Sequence, residues 1–293
     1  MRKVLDEVLR RCNGYATTAA LLDVMSRQQL DGLVRRRELV RVWHGVYAVA
    51  QPDSRGRLNS LDAFLGQHAV ACLGTAASLY GFDTEATETV HILDPGARVR
   101  PVDGLMVHQR VGAPLRRVDG RLATAPAWTA VEVARVLPRP RALATLDAAL
   151  HSGLCTAVEL GAAAHEQRGR RGIVKVRELL AIADGRAESP MESEARLVMH
   201  DHDLPRPELQ YVIDGTHDDM WRVDFAWPEH HVAAEYDSMD WHSGRVAMLR
   251  DRARYAGIQH ARWTVIPIVV TDVRVHPARL AARIADHLLR AAS

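Results

Sequence analysis

The sequence predicts a protein of mixed α/β class, α+β overall, because helical and strand periodicities occupy separate stretches of the chain. Apolar residues recur at helical spacing in the first 35 residues, and alternation between residues 90 and 108 indicates two strands. Residues 209–237 alternate in successive short runs, which indicates a sheet built on hairpins. The 293 residues suffice for two or three domains. We predict three domains, at residues 1–50, 58–185 and 186–293.

The composition excludes several classes of protein. A hydrophobic content of 47% and a charged content of 25% are typical of folded globular chains. No apolar run reaches the ~18 residues of a membrane span, and the first 11 residues are too charged for a signal peptide. The three cysteines, Cys12, Cys72 and Cys155, match neither a disulfide framework nor a metal-binding CxxC pattern. We therefore expect reduced thiols, a cytoplasmic location and no membrane partner.

The formal net charge of +2 hides a strong segregation along the chain. Residues 1–57 carry 11 basic against 6 acidic side chains, and residues 241–293 carry 9 against 3. Residues 186–240 reverse the balance, with 4 basic against 14 acidic side chains. Charge asymmetry of this kind is a reason to test a nucleic-acid hypothesis on the motifs themselves.

The first 49 residues are predicted to form a winged helix-turn-helix. An apolar stripe over residues 1–12 indicates a first helix, and two more helical patterns follow, the third capped by Ser26. Residues 39–49 then indicate two short strands around a turn at His44. Three helices followed by a small hairpin are the element order of this DNA-binding fold.

The third helix of this domain is predicted to be the recognition element in a major groove. Arg27 and Gln28 stand at its start, and both side chains can bond base edges with two hydrogen bonds. The alternatives are that the arginines cover a solvated helix end, or that the winged helix binds protein. Double-stranded DNA is the predicted partner, with five further contacts, mainly to phosphate, at Arg35, Arg36, Arg37, Arg41 and His44.

The middle region is predicted to be an accessory α/β domain, after a polar linker at residues 51–59. Strands over 90–93 and 105–109 are followed by helices over 129–137 and 142–150. His91 and His108 can face each other across the sheet. No third ligand is evident, so the sequence does not favour a metal site there.

The run from Gly14 to Val49, which closes on Leu-Val-Arg-Arg-Arg-Glu-Leu-Val-Arg-Val-Trp-His-Gly-Val-Tyr, resembles the N-terminal domain of the bacterial abortive-infection (AbiE-type) type IV antitoxins. The order of elements in the middle region, including Leu122-Ala-Thr-Ala-Pro, is also similar to that family. The resemblance implies a winged helix that binds promoter DNA and a cognate toxin as a second partner.

The C-terminal region carries the densest group of candidate catalytic residues. A helix is predicted from Pro190 to about residue 202, followed by strands over 208–214, 220–227 and 232–237. Alternation predicts that Trp221, Val223, Phe225 and Trp227 share one apolar face.

Hairpin geometry brings two carboxylates together in this sheet. A four-residue loop at 228–231 pairs Trp227 with Val232 and sets Asp224 opposite Glu235. Directly opposed side chains have Cβ atoms about 4.5–5.5 Å apart, so these two acids repel unless a cation lies between them. The predicted cofactor is Mg²⁺ or Mn²⁺, which carboxylate oxygens bind well. The alternative is a solvated strand face whose acids are neutralised by an arginine, with three candidates: Arg222, Arg250 and Arg254.

The same residues form the pattern Asp-x10-Glu-x-Asp, followed by His242 and Arg250-Asp-x-x-Arg254. This pattern resembles the restriction-endonuclease-like PD-(D/E)XK superfamily, in particular its branch similar to very-short-patch-repair endonucleases. The resemblance implies a mixed sheet in the order α-β-β-β-α-β, with helices on its flanks. It also implies that Asp224 and Glu235 bind the metal.

The resemblance assigns further roles around that pair. An upstream glutamate would be an outer ligand; periodicity does not choose between Glu192 and Glu194, and the Pro-Met-Glu-Ser context favours Glu192. Asp237 replaces the lysine of the superfamily, and His242 would be the general acid or base. The predicted catalytic set is therefore Glu192, Asp224, Glu235, Asp237 and His242, with Arg250 and Arg254 on the DNA backbone.

Two functions follow from these predictions. The first is a Mg²⁺-dependent DNA endonuclease that a winged helix directs to its target. The alternative is an antitoxin-like transcriptional repressor of a type IV toxin–antitoxin system, in which the nuclease fold is catalytically inert.

Overall fold

The computed structural model describes residues 2–82, 88–96, 99, 101–109, 112–215, 219–237 and 245–291. The chain forms two compact units, residues 1–133 and 134–293. Helices and several sheets alternate in both units, which confirms the predicted α+β class.

The first unit begins with a winged helix-turn-helix. Three helices are followed by a β-hairpin, as the sequence predicts, and a two-residue strand that periodicity cannot detect joins the hairpin. The sheet is antiparallel, in the order β1-β3-β2. Its elements are α1 (Arg2–Arg11), β1 (Ala16–Thr17), α2 (Thr18–Leu22), α3 (Arg27–Arg35), β2 (Val40–Trp43) and β3 (Val46–Ala48).

One apolar core holds these elements together, because each helix turns leucines towards the others. Leu5 and Leu9 of α1 pack with Leu21 of α2 and with Leu30 and Leu33 of α3, and all five are buried. Burial of a leucine stabilises the fold by about 1.5–3 kcal/mol, so this small core fixes the orientation of α3.

The predicted linker at residues 51–59 is wrong, because most of it lies in helix α4 (Ser54–Leu65). Asp53 caps this helix by accepting a hydrogen bond of 2.7 Å from the backbone N–H of Gly56. A Cβ at Gly56 would lie 2.6 Å from the hydroxyl of Tyr15, so the glycine permits close packing. Leu58 and Leu61 are buried. The polar residues therefore mark a helix start rather than a hinge.

The rest of the first unit combines one parallel and one antiparallel strand pair. Both predicted strands are present, over residues 90–93 and 105–108, and they run parallel. A hairpin follows, and Ala71 forms bridges to both pairs. The elements are α5 (Leu73–Tyr80), β4 (Val90–Leu93), β5 (Leu105–His108), β6 (Leu115–Val118), β7 (Arg121–Thr124) and α6 (Pro126–Val136), the last crossing the boundary between the units.

The second unit opens with helices α7 (Arg139–His151), α8 (Ala157–Glu166), α9 (Ile173–Leu180) and α10 (Pro190–Asp201). Ser189 caps α10 by accepting a hydrogen bond from the N–H of Glu192, and Pro190 occupies the first helical position. The start predicted from Pro190 is thus confirmed.

A mixed sheet flanked by helices completes the second unit, as predicted. The strand order is β11-β10-β9-β8, with β10 and β11 parallel and the other pairs antiparallel. The predicted order α-β-β-β-α-β is confirmed, with one unpredicted short helix, α12. The elements are β8 (Glu208–Asp214), β9 (Met220–Trp227), β10 (Val232–Tyr236), α11 (Arg245–His260), β11 (Thr264–Ile268), α12 (Val270–Arg274) and α13 (Pro277–Ala291).

The prediction that the four apolar residues of β9 share one face is wrong. Phe225 and Trp227 belong to the core beneath α10 and α13, whereas Val223 and Trp221 pack into a second core beneath α11. The apolar side chains switch from one face of the sheet to the other between Val223 and Phe225. At this level the neighbouring strand β8 contains Gln210, which has a left-handed φ of 52°. This irregularity breaks the strict alternation that the prediction assumed.

Among the helices of the described ranges, none has both the length and the apolar composition that a membrane span requires.

Candidate functional sites

Helix α3, the predicted recognition element, is fixed at its start by a reciprocal cap. The N–H of Gln29 donates to the Ser26 hydroxyl at 3.3 Å, and the N–H of Ser26 donates to the Gln29 side chain at 2.8 Å. Leu30 and Leu33 face the core. Arg27 and Gln28 lie on the exposed side of the first turn, as the helical spacing requires.

The end of α3 and the wing carry the other predicted DNA contacts, and all of these side chains are exposed. Arg36 forms an ion pair of 2.5 Å with Glu38. The guanidinium of Arg41 lies 5.8 Å from the ring centre of Tyr47, a cation–π distance that orients it along the wing. An exposed arginine of this kind can donate two parallel hydrogen bonds to a phosphate.

The second candidate site is an acidic cluster, formed by Glu192 of α10, Asp224 of β9 and Glu235 of β10. The hairpin register is the predicted one, with Trp227 paired with Val232 and Phe225 with Ala234. Beyond the pair of Phe225 and Ala234, the Asp224 carboxylate accepts a hydrogen bond of 2.8 Å from the backbone N–H of Tyr236. The side chain of Asp224 therefore bridges β9 and β10 where their ladder ends.

The Asp224 carboxylate has a strongly perturbed protonation equilibrium. Burial, joined by the charges of Glu192 and Glu235, raises the pKa of Asp224 to about 6, against the hydrogen bond from Tyr236 and the charge of Arg254. A carboxyl group with this pKa changes protonation state close to neutral pH. The three acids thus lie close enough to affect each other electrostatically.

Glu235 is engaged by a cation of the protein itself. Nη1 of Arg254 donates to Oε2 of Glu235 at 2.7 Å, and Nη2 donates to Oε1. Nη2 of Arg254 also donates to the carbonyl of Arg222 at 2.6 Å. Burial, and then the charge of Glu235, raise the pKa of the neighbouring Tyr255. Of the three arginines that could neutralise the acids, Arg254 therefore does so.

The two glutamates of α10 have different surroundings. Oε2 of Glu192 accepts hydrogen bonds of 3.0 Å from the side chain of Gln210 and from the backbone N–H of Glu188. Glu194 is almost fully buried and pairs with Arg141 and Arg274. The structure places Glu192, rather than Glu194, beside Asp224. The cluster around Glu194 was missed, because its two arginines come from distant positions that no local pattern connects.

The remaining predicted residues of this site are less completely placed. Asp237 is exposed at the end of β10, where its backbone N–H donates to Ile268 at 2.8 Å. His242 lies outside the described residues, and so does the side chain of Arg250. Arg222 forms an ion pair of 2.7 Å with Glu188.

The acidic cluster does not fit a divalent metal ion in this arrangement. Arg254 donates to both oxygens of Glu235, and its positive charge repels a second cation from that carboxylate. Within the part of the chain that is described, no three His, Cys, Asp or Glu side chains are arranged to hold a metal ion. The Mg²⁺ or Mn²⁺ prediction therefore has no support from the geometry and stays a prediction.

The histidine pair of the middle region is in contact, as the strand positions suggested. Nδ1 of His91 lies 2.9 Å from Nε2 of His108, and the rings stack with centres 5.2 Å apart. Burial, and then the neighbouring His108, lower the pKa of His91 to about 4. The pair thus favours the neutral form of His91.

Comparison with known proteins assigns the middle of the chain. Residues 69–182 match the family model described as the AbiEi antitoxin C-terminal domain. Two relatives from Mycobacterium tuberculosis, uncharacterized protein MT2308 of strain CDC 1551 / Oshkosh and uncharacterized protein Rv2248 of strain ATCC 25618 / H37Rv, are each 68% identical over 267 residues. The alignments cover 91% of this chain and 98% of each relative.

The chain belongs to the family of these mycobacterial proteins.

The match to the AbiEi domain confirms the predicted antitoxin resemblance for the middle of the chain. That domain includes the histidine pair, the hairpin β6–β7 and helices α6 to α9. It does not extend to the winged helix or to the mixed sheet, so the similarity of the sheet to very-short-patch-repair endonucleases stays a prediction.

Proposed function

We propose that the protein is the DNA-binding antitoxin of an AbiE-type toxin–antitoxin system and represses its own promoter. The match of residues 69–182 to the AbiEi antitoxin C-terminal domain carries this proposal. The winged helix supports it, because an antitoxin that acts as a repressor needs a surface for duplex DNA. The partners are therefore double-stranded DNA and a toxin encoded beside this gene.

The start of α3 would supply sequence recognition. A recognition helix enters the major groove with its first residues at the base edges. Arg27 can donate two hydrogen bonds to guanine, and Gln28 can bond both edge groups of adenine. Both side chains are exposed on a helix whose start is fixed by the Ser26 cap. This exposure and the fixed helix start support the proposal that the two side chains contact bases directly.

The end of α3 and the wing would supply affinity without sequence preference. Arg35, Arg36 and Arg37 are consecutive and exposed, so they can follow a phosphate backbone. Each phosphate contact releases condensed counterions, and this makes binding weaken as the salt concentration rises. Arg41 on β2 extends the cationic surface along the wing.

A binding assay on the full chain tests the DNA proposal. Fluorescence anisotropy would compare a duplex from upstream of the gene with a shuffled duplex of the same composition. We expect tighter binding to the natural duplex. Gln28→Ala should reduce that preference by about 5- to 150-fold, because one good bidentate base contact contributes about 1–3 kcal/mol.

A phosphate variant and a matched control complete this experiment. Replacing Arg35, Arg36 and Arg37 by alanine should weaken binding to both duplexes. The slope of log affinity against log salt should fall by about 1 for each phosphate that the variant no longer neutralises. Arg168→Ala removes an exposed arginine of the second unit and should leave both quantities unchanged. Equal affinity of the unaltered protein for the two duplexes would refute the repressor proposal.

The toxin part of the proposal has its own test. Expression of the neighbouring gene alone should arrest growth, and co-expression of the full chain should restore it. Co-expression of the triple arginine variant then separates repression from neutralisation. If the unaltered chain does not restore growth, the antitoxin assignment fails even where promoter binding is found.

A DNA endonuclease is the second candidate function, favoured by the convergence of Glu192, Asp224 and Glu235 within a mixed sheet of the predicted order. Its test is nicking of supercoiled and mismatched DNA in Mg²⁺ or Mn²⁺. Nicking that disappears in Asp224→Ala would establish this function. Absence of nicking with either metal, in protein that binds DNA, would exclude it.

A further inference from the structure

We infer that Arg254 occupies, as a permanent cation, the position that a divalent metal ion would need in the acidic cluster. The carboxylates of this sheet would then be held by the protein itself, and the second unit would bind neither Mg²⁺ nor Mn²⁺ there. This inference does not rest on the antitoxin proposal, since it concerns the mixed sheet alone.

The contact geometry supports a full replacement of the metal at Glu235. The guanidinium donates to both carboxylate oxygens, at 2.7 Å from Nη1 to Oε2 and also from Nη2 to Oε1. Such a bidentate pair engages both oxygens of Glu235 and places a positive charge against the carboxylate, which repels a metal ion there. The negative charge of Glu235 also acts on the neighbouring Tyr255. A metal ion would have to displace the guanidinium donors before it could bind.

The arginine is held in place from several directions. Its Nη2 also donates to the carbonyl of Arg222 at 2.6 Å, which ties α11 to β9. One turn further along α11, Ile258 is buried in the core shared with Val223. A Cβ at Gly257 would lie 2.4 Å from the Trp221 ring, so the helix packs closely on the sheet. The position of Arg254 is thus determined by the packing of the helix.

The charge balance leads to the same conclusion. Glu235 is 9% exposed and Glu192 8%, and two nearby buried carboxylates need a positive charge or a proton. The charge of Arg254 acts on Glu235 and also on Asp224. One guanidinium therefore pairs with Glu235 and offsets part of the cost of burying Asp224, which is the electrostatic role that the sequence assigned to a metal ion.

Thermal unfolding of the full chain, followed at pH 8 in metal-free buffer and in rising concentrations of MnCl2 or MgCl2, tests the inference. The unaltered protein should show the same Tm at all metal concentrations. Arg254→Ala should lower the Tm by roughly 5–15 °C, because it leaves buried carboxylates without a cation. Mn²⁺ should then raise the Tm of this variant in a saturable way.

The matched control is Arg252→Ala, which removes an exposed arginine of the same helix. Its Tm should equal that of the unaltered protein and should not respond to Mn²⁺. Adding Asp224→Asn to Arg254→Ala should abolish the Mn²⁺ response, which locates the ion in the acidic cluster. A Tm of Arg254→Ala that does not respond to Mn²⁺ would overturn the inference.

A second measurement does not depend on the folding of Arg254→Ala. Electron paramagnetic resonance of Mn²⁺ counts the free ion in the presence of the unaltered protein. We expect no stoichiometric site. A site of one Mn²⁺ per chain that disappears in Asp224→Asn would overturn the inference and would revive the endonuclease candidate. Neither result changes the promoter-binding assay, so the two proposals can fail separately.

Discussion

The winged helix and the mixed sheet use arginine in opposite ways. On α3 and the wing the guanidinium groups are exposed, and their charges are available to a ligand. In the second unit Arg196 and Arg254 donate to carboxylates of the protein, and Arg196 is buried. Exposed guanidinium groups are therefore open to the proposed DNA contacts, whereas guanidinium groups buried against carboxylates stabilise the fold. We expect solvent exposure to determine which role an arginine takes.

The largest expected effect on the free energy of unfolding comes from breaking the buried ion pair of Asp147 and Arg196. Asp147 is 1% exposed, donors from Arg196 and the backbone of Asp184 satisfy it, and the pair joins α7 to α10. Asp147→Ala leaves Arg196 buried without its partner. We expect the free energy of unfolding to fall by about 3–5 kcal/mol, as measured by urea denaturation.

The control is the exposed pair of Glu7 and Arg11, one turn apart on α1. Glu7→Ala should change the free energy of unfolding by less than about 0.5 kcal/mol. If Asp147→Ala lowers the free energy of unfolding no more than Glu7→Ala does, then burial does not determine how much an ion pair stabilises this protein.

The second effect is a dependence of stability on pH that arises in the first unit. The pKa of His91 is lowered to about 4 in the folded protein, so the fold favours the neutral imidazole. The stability it contributes is complete above its ordinary pKa of about 6.5 and is lost as pH falls from there towards 4. Wild-type protein should lose about 1–3 kcal/mol over that window relative to His91→Gln, measured by urea denaturation at several pH values. Parallel pH profiles of the two proteins would contradict this expectation.

The third effect has the opposite sign, because the affected group is an acid. The pKa of Asp224 is raised to about 6, so its charge destabilises the fold above pH 6, and this penalty disappears as pH falls towards 4. Asp224→Asn removes the charge and keeps an oxygen that can accept from Tyr236. We expect it to raise the free energy of unfolding by about 1–2 kcal/mol at pH 8 and to leave it unchanged at pH 4. A loss of stability at both pH values would show that the carboxylate is needed for the fold.

Sequence periodicity located the elements of the mixed sheet closely, for a physical reason. Strands β8 and β9 have the predicted bounds because apolar residues on both faces produce short runs bounded by turn residues. The hairpin register was also predictable, since the loop length fixes it. The switch of the apolar side chains to the other face of the sheet at the level of Gln210 was not predictable, because a left-handed φ at a non-glycine residue has no signature in the local sequence.

The acidic cluster was partly predictable by the same reasoning. The loop length of the hairpin predicted that Asp224 lies near Glu235. Which cation neutralises these acids depends on how α11 packs against the sheet. The sequence offered three arginines as candidates for this cation. Only the tertiary structure distinguishes Arg254, which pairs with Glu235, from Arg222, which pairs with Glu188. Helix α4 was missed for a related reason, since Asp53 and Gly56 suit a helix start as well as a linker.

The smallest expected effect on stability is at Arg36, where the comparison between the two uses of arginine is sharpest. Its partner Glu38 is exposed, so Arg36→Ala should change the free energy of unfolding by no more than about 0.5 kcal/mol. If the wing side of α3 contacts phosphate, the same variant should reduce the salt dependence of DNA binding by a slope of about 1. Arg254→Ala should show the reverse pattern, with a large loss of stability and, at temperatures where it stays folded, no change in that slope. A stability loss at Arg36 equal to that at Arg254 would mean that exposure does not decide the role of an arginine in this protein.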